Sequence, residues 1–293
     1  MKAFAVWLMV ACVGLVQAAP ERVELPSLDA PLGASSGTPV QLPGHWFRAP
    51  GAGPAPALVA LHGCGGLYDG QGRLGERYTG LASRLNALGV HVLFTDSLQP
   101  RGEKELCTQR TGQRRVTQTQ RRRDALGALQ WLAVQPGVDA QKLGLLGWSN
   151  GGSNVLAASN RRHPEVAAAA VKPSLLVAFY PGCESDLARG YEPTAPLLML
   201  LGEADDWTPA APCKTLAEAA NSAALANGPQ VQFEAYTGAF HGFDGTAPLR
   251  LRRDVPNGAK PGHGVHVGAD PAARAAAAVR LENFVRDTWS LTR

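Results

Sequence analysis

The chain has no Cys-x-x-Cys pair, and its five cysteines do not show the spacing of zinc-ligand pairs. That argues against a metal site, and nothing in the sequence calls for a cofactor. Excess charge of one sign is also missing: 28 Lys and Arg face 24 Asp and Glu, for a formal net charge of +4. Such a balance is too mild to indicate a nucleic-acid partner. The one local basic run, Arg121-Arg122-Arg123, reads as a solvated helix face. Beyond the N-terminus no apolar run is long enough to cross a bilayer, so stable membrane insertion is not expected. Internal repeats and a dividing linker are absent, and residues 19–293 read as one domain. Hydrophobic residues make up 45%, enough to bury a full core.

The N-terminus carries a different signal. Lys2 precedes an apolar stretch from Ala3 to Val16, and Gln17-Ala18-Ala19 follows. A charged start, a hydrophobic stretch too short to span a bilayer and small residues at its exit describe a secretory signal peptide. It covers residues 1–18, with cleavage after Ala18, Ala19 next best, and a lipoprotein cut before Cys12 as the rival reading. The mature protein is therefore expected to be periplasmic or secreted. Cys64, Cys107, Cys183 and Cys213 remain after export, an even set that in an oxidising compartment predicts two disulfides.

Short apolar runs then alternate with helix-period segments. After a possible strand at Val40–Arg48, buried strands are expected at Ala57–Leu61, Val90–Phe94, Leu143–Leu146, Leu175–Tyr180 and Leu197–Leu201, with an alternating one at Val231–Tyr236. Helices are expected over about 77–88, 115–134, 150–163, 211–226 and 270–289. The alternation predicts an α/β fold, with a mostly parallel central sheet and helices on both faces. Residues 245–269 form a long Gly/Pro-rich loop, and loops of that length are often functional.

Chemistry concentrates at the strand ends. Leu143–Leu146 runs into Gly147-Trp148-Ser149-Asn150-Gly151-Gly152, a sharp strand-to-helix turn with Ser149 at its apex. The strand Leu197–Leu201 ends in Gly202-Glu203-Ala204-Asp205-Asp206-Trp207-Thr208-Pro209, and the last strand is followed by Phe240-His241-Gly242-Phe243. The order Ser, acid, His is that of an α/β-hydrolase triad. A serine hydroxyl attacks poorly until a histidine takes its proton, and the carboxylate orients the imidazole. The glycine-rich loop His62-Gly63-Cys64-Gly65-Gly66 follows the first buried strand. It suits an oxyanion hole built from the N–H groups of Cys64 and Asn150. His62 reads as a structural residue of that loop. His45, His91 and His163 read as surface or core residues, and His263 and His266 as solvent-facing. Trp148 and Trp207 adjoin the site and either line its pocket or pack the core.

On these motifs, over roughly residues 55 to 290, the chain resembles the dienelactone hydrolase family of α/β-hydrolases. The founding enzymes carry cysteine in an otherwise similar elbow, whereas this chain has Ser149. The resemblance therefore implies a serine hydrolase of small-molecule carboxylic esters or lactones, which the N-terminal signal makes an exported one. It also implies Asp205 as the acid, because the family's acid turns usually place proline four residues later, where Pro209 stands. Asp206 is then expected to cap the next helix. Of three possible disulfide pairings, Cys64–Cys107 and Cys183–Cys213 are expected, because each pair follows neighbouring strands. A peptidase or acyltransferase on the same fold is an alternative, as is a catalytically silent ligand-binding homologue. The presence of all three triad side chains argues against the silent one. Oligomeric state is not legible.

Overall fold

The computed structural model describes residues 19–29, 37–224 and 228–292. The expected signal peptide lies outside these residues. Two strands come first, β1 (Glu21–Pro26) and β2 (Gln41–Phe47). The alternation follows: β3 (Ala55–Leu61), α1 (Glu76–Asn86), β4 (His91–Thr95), α2 (Gln118–Ala133), β5 (Val138–Trp148) and α3 (Asn150–Ser159). A short α4 (Pro164–Ala167) precedes β6 (Leu175–Phe179), α5 (Glu184–Arg189), β7 (Leu197–Gly202), α6 (Ala210–Ala223) and β8 (Val231–Tyr236). A hairpin of β9 (Arg250–Arg252) and β10 (Val265–Val267) leads to the closing helix α7 (Pro271–Trp289).

Eight strands form one sheet in the order β1-β2-β4-β3-β5-β6-β7-β8. The first two pair antiparallel, and every pairing from β4 to β8 is parallel. Because side chains alternate across a strand, each buried run is divided between two cores. Val59, Leu61, Leu145, Ala178 and Met199 pack with Leu129 of α2, Val155 of α3 and Leu216 of α6. Leu58, Ala60, Leu146, Val177 and Leu200 pack on the other face with Leu81 of α1 and Leu281 of α7. The chain leaves β3 toward α1 on one face and β5 toward α3 on the other. A crevice therefore opens between the C-terminal ends of β3 and β5, where α/β folds place their ligands.

Most expected elements fall within a few residues of those found. Residues 225–227, at the expected end of α6, lie outside the described residues. β1 went unread because Glu21–Pro26 is largely exposed and carries no apolar run. The basic run is the clearest correction. It lies on α2 where that helix packs against α3 and the segment after β1, so Arg121 is fully buried and Arg122 is 8% exposed. Glu165 accepts from both Arg122 and Arg123, and Asp29 pairs with Arg123 at 2.9 Å. No helix among the described residues is long and apolar enough to cross a membrane.

Candidate active site

The turn from β5 into α3 is very tight. A Cβ added to Gly147 would lie 2.2 Å from the carbonyl oxygen of Gly151, and one on Gly151 would lie 2.1 Å from that of Leu61. Only hydrogen fits at either place. Between them Ser149 adopts φ 53° and ψ −119°, a strained backbone for a residue with a side chain. Its N–H donates to Phe179 O at 2.9 Å, tying the elbow to β6.

His241 enters from the loop after β8. Its Nε2 lies 2.9 Å from Ser149 Oγ, and its Nδ1 lies 2.8 Å from Asp205 Oδ2. Asp205 stands where the chain leaves β7, and its Oδ1 accepts from the N–H groups of Trp207 and Thr208 at 2.8 and 2.9 Å. With Nδ1–H donating to the carboxylate, Nε2 is left to accept the serine proton. Tyr180 and Trp207 flank the imidazole, with ring centroids 4.5 and 4.6 Å from it. The Thr208 hydroxyl lies 3.1 Å from Asp205 Oδ2 and 3.0 Å from Tyr180 O.

The neighbouring Asp206 does not cap a helix. Its carboxylate accepts from the backbone N–H of His266 at 2.8 Å and from His266 Nδ1 at 2.7 Å, and α6 begins after Pro209 without a side-chain cap. His266 is correspondingly not free in solvent: it binds Asp206 and packs on Phe240, 5.0 Å between centroids. The reason is tertiary. Residues 245–269 fold back as the β9–β10 hairpin, Gly268 N donates to His241 O at 3.0 Å, and Arg252 lies over the Trp207 ring at 5.7 Å.

These elements surround a cavity of about 770 Å³ lined by Ser149, His241, Trp148, Trp207, Tyr78 and Arg252, among others. Trp148 both lines it and belongs to the core, stacking on Phe179 and donating its Nε1–H to Asp244 Oδ2 at 2.8 Å. The other oxygen of Asp244 accepts from Tyr180 OH at 2.6 Å and faces Arg77 at 3.3 Å. Burial holds the Tyr180 hydroxyl well above its ordinary pKa, so it remains a donor. No sequence signal identified Asp244, Tyr180 or Arg77, because what unites them is their convergence from three separate segments.

Opposite Ser149, Gly63 sits with its Cβ position 3.4 Å from Trp148 O and 3.7 Å from Ser149 Cβ. The His62 loop thus touches the elbow directly. Cys64 is bonded to Cys107, whose residue also lines the cavity, and Cys183 is bonded to Cys213. Asn150 opens α3, so its N–H belongs to the first turn, which has no acceptor within the helix. His62 is fully buried, placing its Nδ1 2.7 Å from Gly63 O and accepting from Ser97 N–H on Nε2 at 3.2 Å. Burial, reinforced by the nearby Arg121 charge, pushes its pKa down to about 3, which keeps it neutral.

Comparison with known proteins agrees with this architecture. A dienelactone hydrolase-like promiscuous phosphotriesterase from metagenomic libraries superposes with a TM-score of 0.63 at 20% identity, covering 92% of this chain and 99% of that one. Thermogutta terrifontis esterase 2, phosphorylated by paraoxon, gives 0.64 at 15% identity over 94% and 97% of the two chains. A putative dienelactone hydrolase from Klebsiella pneumoniae gives 0.58 at 16% identity over 92% and 99%. At such identities the likeness concerns the fold. A sequence search among curated proteins found no match. The family model for dienelactone hydrolases, however, matches residues 43–287, and the chain belongs to the dienelactone hydrolase family.

Proposed function

We propose that the protein is an exported serine hydrolase that cleaves carboxylic esters or lactones through an acyl-enzyme. The observation that carries this reading is the chain of contacts from Ser149 Oγ through His241 to Asp205, 2.9 and 2.8 Å long, at the edge of an open cavity. In the proposed reaction His241 Nε2 takes the hydroxyl proton as Ser149 Oγ bonds to the acyl carbon. Asp205 holds the imidazole and stabilises the imidazolium. The N–H groups of Cys64 and Asn150 receive the oxyanion, and His241 then returns the proton to the departing alkoxide. Water repeats the sequence to release the acid. For a lactone the alcohol and the acid are two ends of one product. Family membership and a fold shared with esterases support ester hydrolysis over the alternatives. The two disulfides fit an oxidising compartment.

A fluorophosphonate probe should label wild-type protein on Ser149, and Ser149→Ala should abolish both labelling and rapid ester turnover while the protein stays folded. Mapping of the adduct to another residue would overturn the assignment. Comparing p-nitrophenyl esters, lactones and anilides on the mature protein separates ester hydrolysis from peptidase activity.

A further inference from the structure

Arg121 is one of the largest fully buried side chains in the molecule, and it lies directly behind the turn that bears Ser149. Its Nη1 donates to the side-chain oxygen of Asn150, and its Nη2 donates to the backbone oxygen of His62 at 2.6 Å. One guanidinium therefore joins the first residue of α3 to the loop after β3. Around this contact the same helices are tied again. Gln118 donates to Asn150 O at 3.0 Å, and Asn154 donates to Arg121 O at 2.9 Å. Among the described residues no carboxylate lies within 4 Å of the guanidinium. The nearby Asp124 is engaged by Arg101 at 2.7 Å. A buried cation held without a direct counter-ion is costly, and helix packing alone could be met by an apolar side chain.

The backbone around it gives the arrangement a purpose. Arg121 holds the His62 carbonyl, and the His62 ring holds the next one, with Nδ1–H donating to Gly63 O at 2.7 Å. Gly66 N donates to the same oxygen at 3.2 Å. In a trans peptide the C=O and N–H point in opposite directions. Pinning Gly63 O toward the buried ring therefore turns the N–H of Cys64 away from it, to the side where Cys64 and Ser149 share the cavity.

We infer that Arg121 is a positioning residue: by bridging His62 O and the Asn150 side chain it holds the two backbone N–H groups of the oxyanion hole in register from behind. The inference rests on the hydrolase reading above for its catalytic consequence, but not for its structural one.

The test uses the mature protein with Arg121→Met, Arg121→Lys and Asn150→Ala, the last removing one acceptor while keeping the backbone N–H. Arg121→Met should lower kcat for a p-nitrophenyl ester by about 10²-fold, the cost of losing one oxyanion donor, with KM changed by less than about threefold. A trifluoromethyl ketone, which binds as a tetrahedral anion, should weaken by a similar factor. Arg121→Lys should recover part of the loss, and Asn150→Ala should lose about tenfold in kcat, which keeps the test decisive if Arg121→Met fails to fold. Hydrogen exchange supplies a readout independent of turnover: segments 61–66 and 149–152 should exchange faster in each variant while α7 does not change. Failure of wild type to hydrolyse esters would refute the hydrolase reading, and exchange would still judge Arg121. Unchanged exchange in those two segments, or kcat within threefold of wild type in a folded variant, would overturn the inference.

Discussion

Acid should destabilise this protein through His62, and by an amount the structure allows to be worked out. The ring is fully buried, and its pKa falls from 6.5 to about 3 in the folded state, through desolvation first and the Arg121 charge second. Protonation would also break the bond that Nε2 accepts from Ser97 N–H. Because the folded pKa is depressed, the unfolded chain binds the proton more readily between these two values. The contribution is fully present above about pH 6.5 and is lost as the pH falls toward 3. At about 1.4 kcal/mol per pH unit, moving from neutrality to pH 4 removes about 3 kcal/mol, a large part of an ordinary domain's stability. His163, lowered to about 4 mainly by burial, acts in the same direction, whereas burial raises Asp96 and Asp186 and so acts oppositely. The variant His62→Asn isolates the effect. Urea unfolding at pH 7, 5.5 and 4.5 should show wild type more stable at pH 7 and the difference from the variant shrinking as pH falls. A difference that stays constant across that range would refute the reasoning.

Two further expectations follow from the site. Asp205→Asn should reduce kcat by roughly 10⁴, as in other triads, because the imidazole loses its orienting acceptor; Asp206→Asn should instead loosen the hairpin, raising KM and hydrogen exchange over residues 250–267, and a reversal of the two phenotypes would exchange their roles. The disulfides close separations of 43 and 30 residues, so breaking either should cost about 4 kcal/mol by chain entropy. Only replacement of Cys64 and Cys107 by serine should also lower kcat, since Cys183–Cys213 lies outside the cavity lining; equal activity losses in the two double variants would sink that distinction.

Local order was legible wherever a residue's own chemistry or a short-range period decided the outcome. Val231–Tyr236 reads as a strand and forms one, and the helices are found close to their expected bounds. The elbow was legible for a related reason: Gly147 and Gly151 stand where a Cβ would collide with backbone, so the residue type itself reports the turn. Tertiary surroundings decided the rest. Arg121-Arg122-Arg123 looks solvated in a one-dimensional pattern, yet α2 turns Arg121 into the space behind Asn150. Asp206 precedes a helix and looks like a cap, but a hairpin some sixty residues later delivers His266 to it.

The sequence by itself determined the alternation of strands and helices, the two-faced core and the positions of Ser149, Asp205 and His241 at strand ends. Apolar period, glycine and chain order act over a few residues and leave a visible pattern. Only the tertiary structure decided which distant groups meet. Asp244 joins Tyr180, Trp148 and Arg77, Trp207 and Tyr180 flank His241, and Arg121 spans from α2 to the His62 carbonyl and the Asn150 side chain. Those contacts depend on how the elements pack in three dimensions, and the physical reason they escape the sequence is that no local period records a partner dozens of residues away.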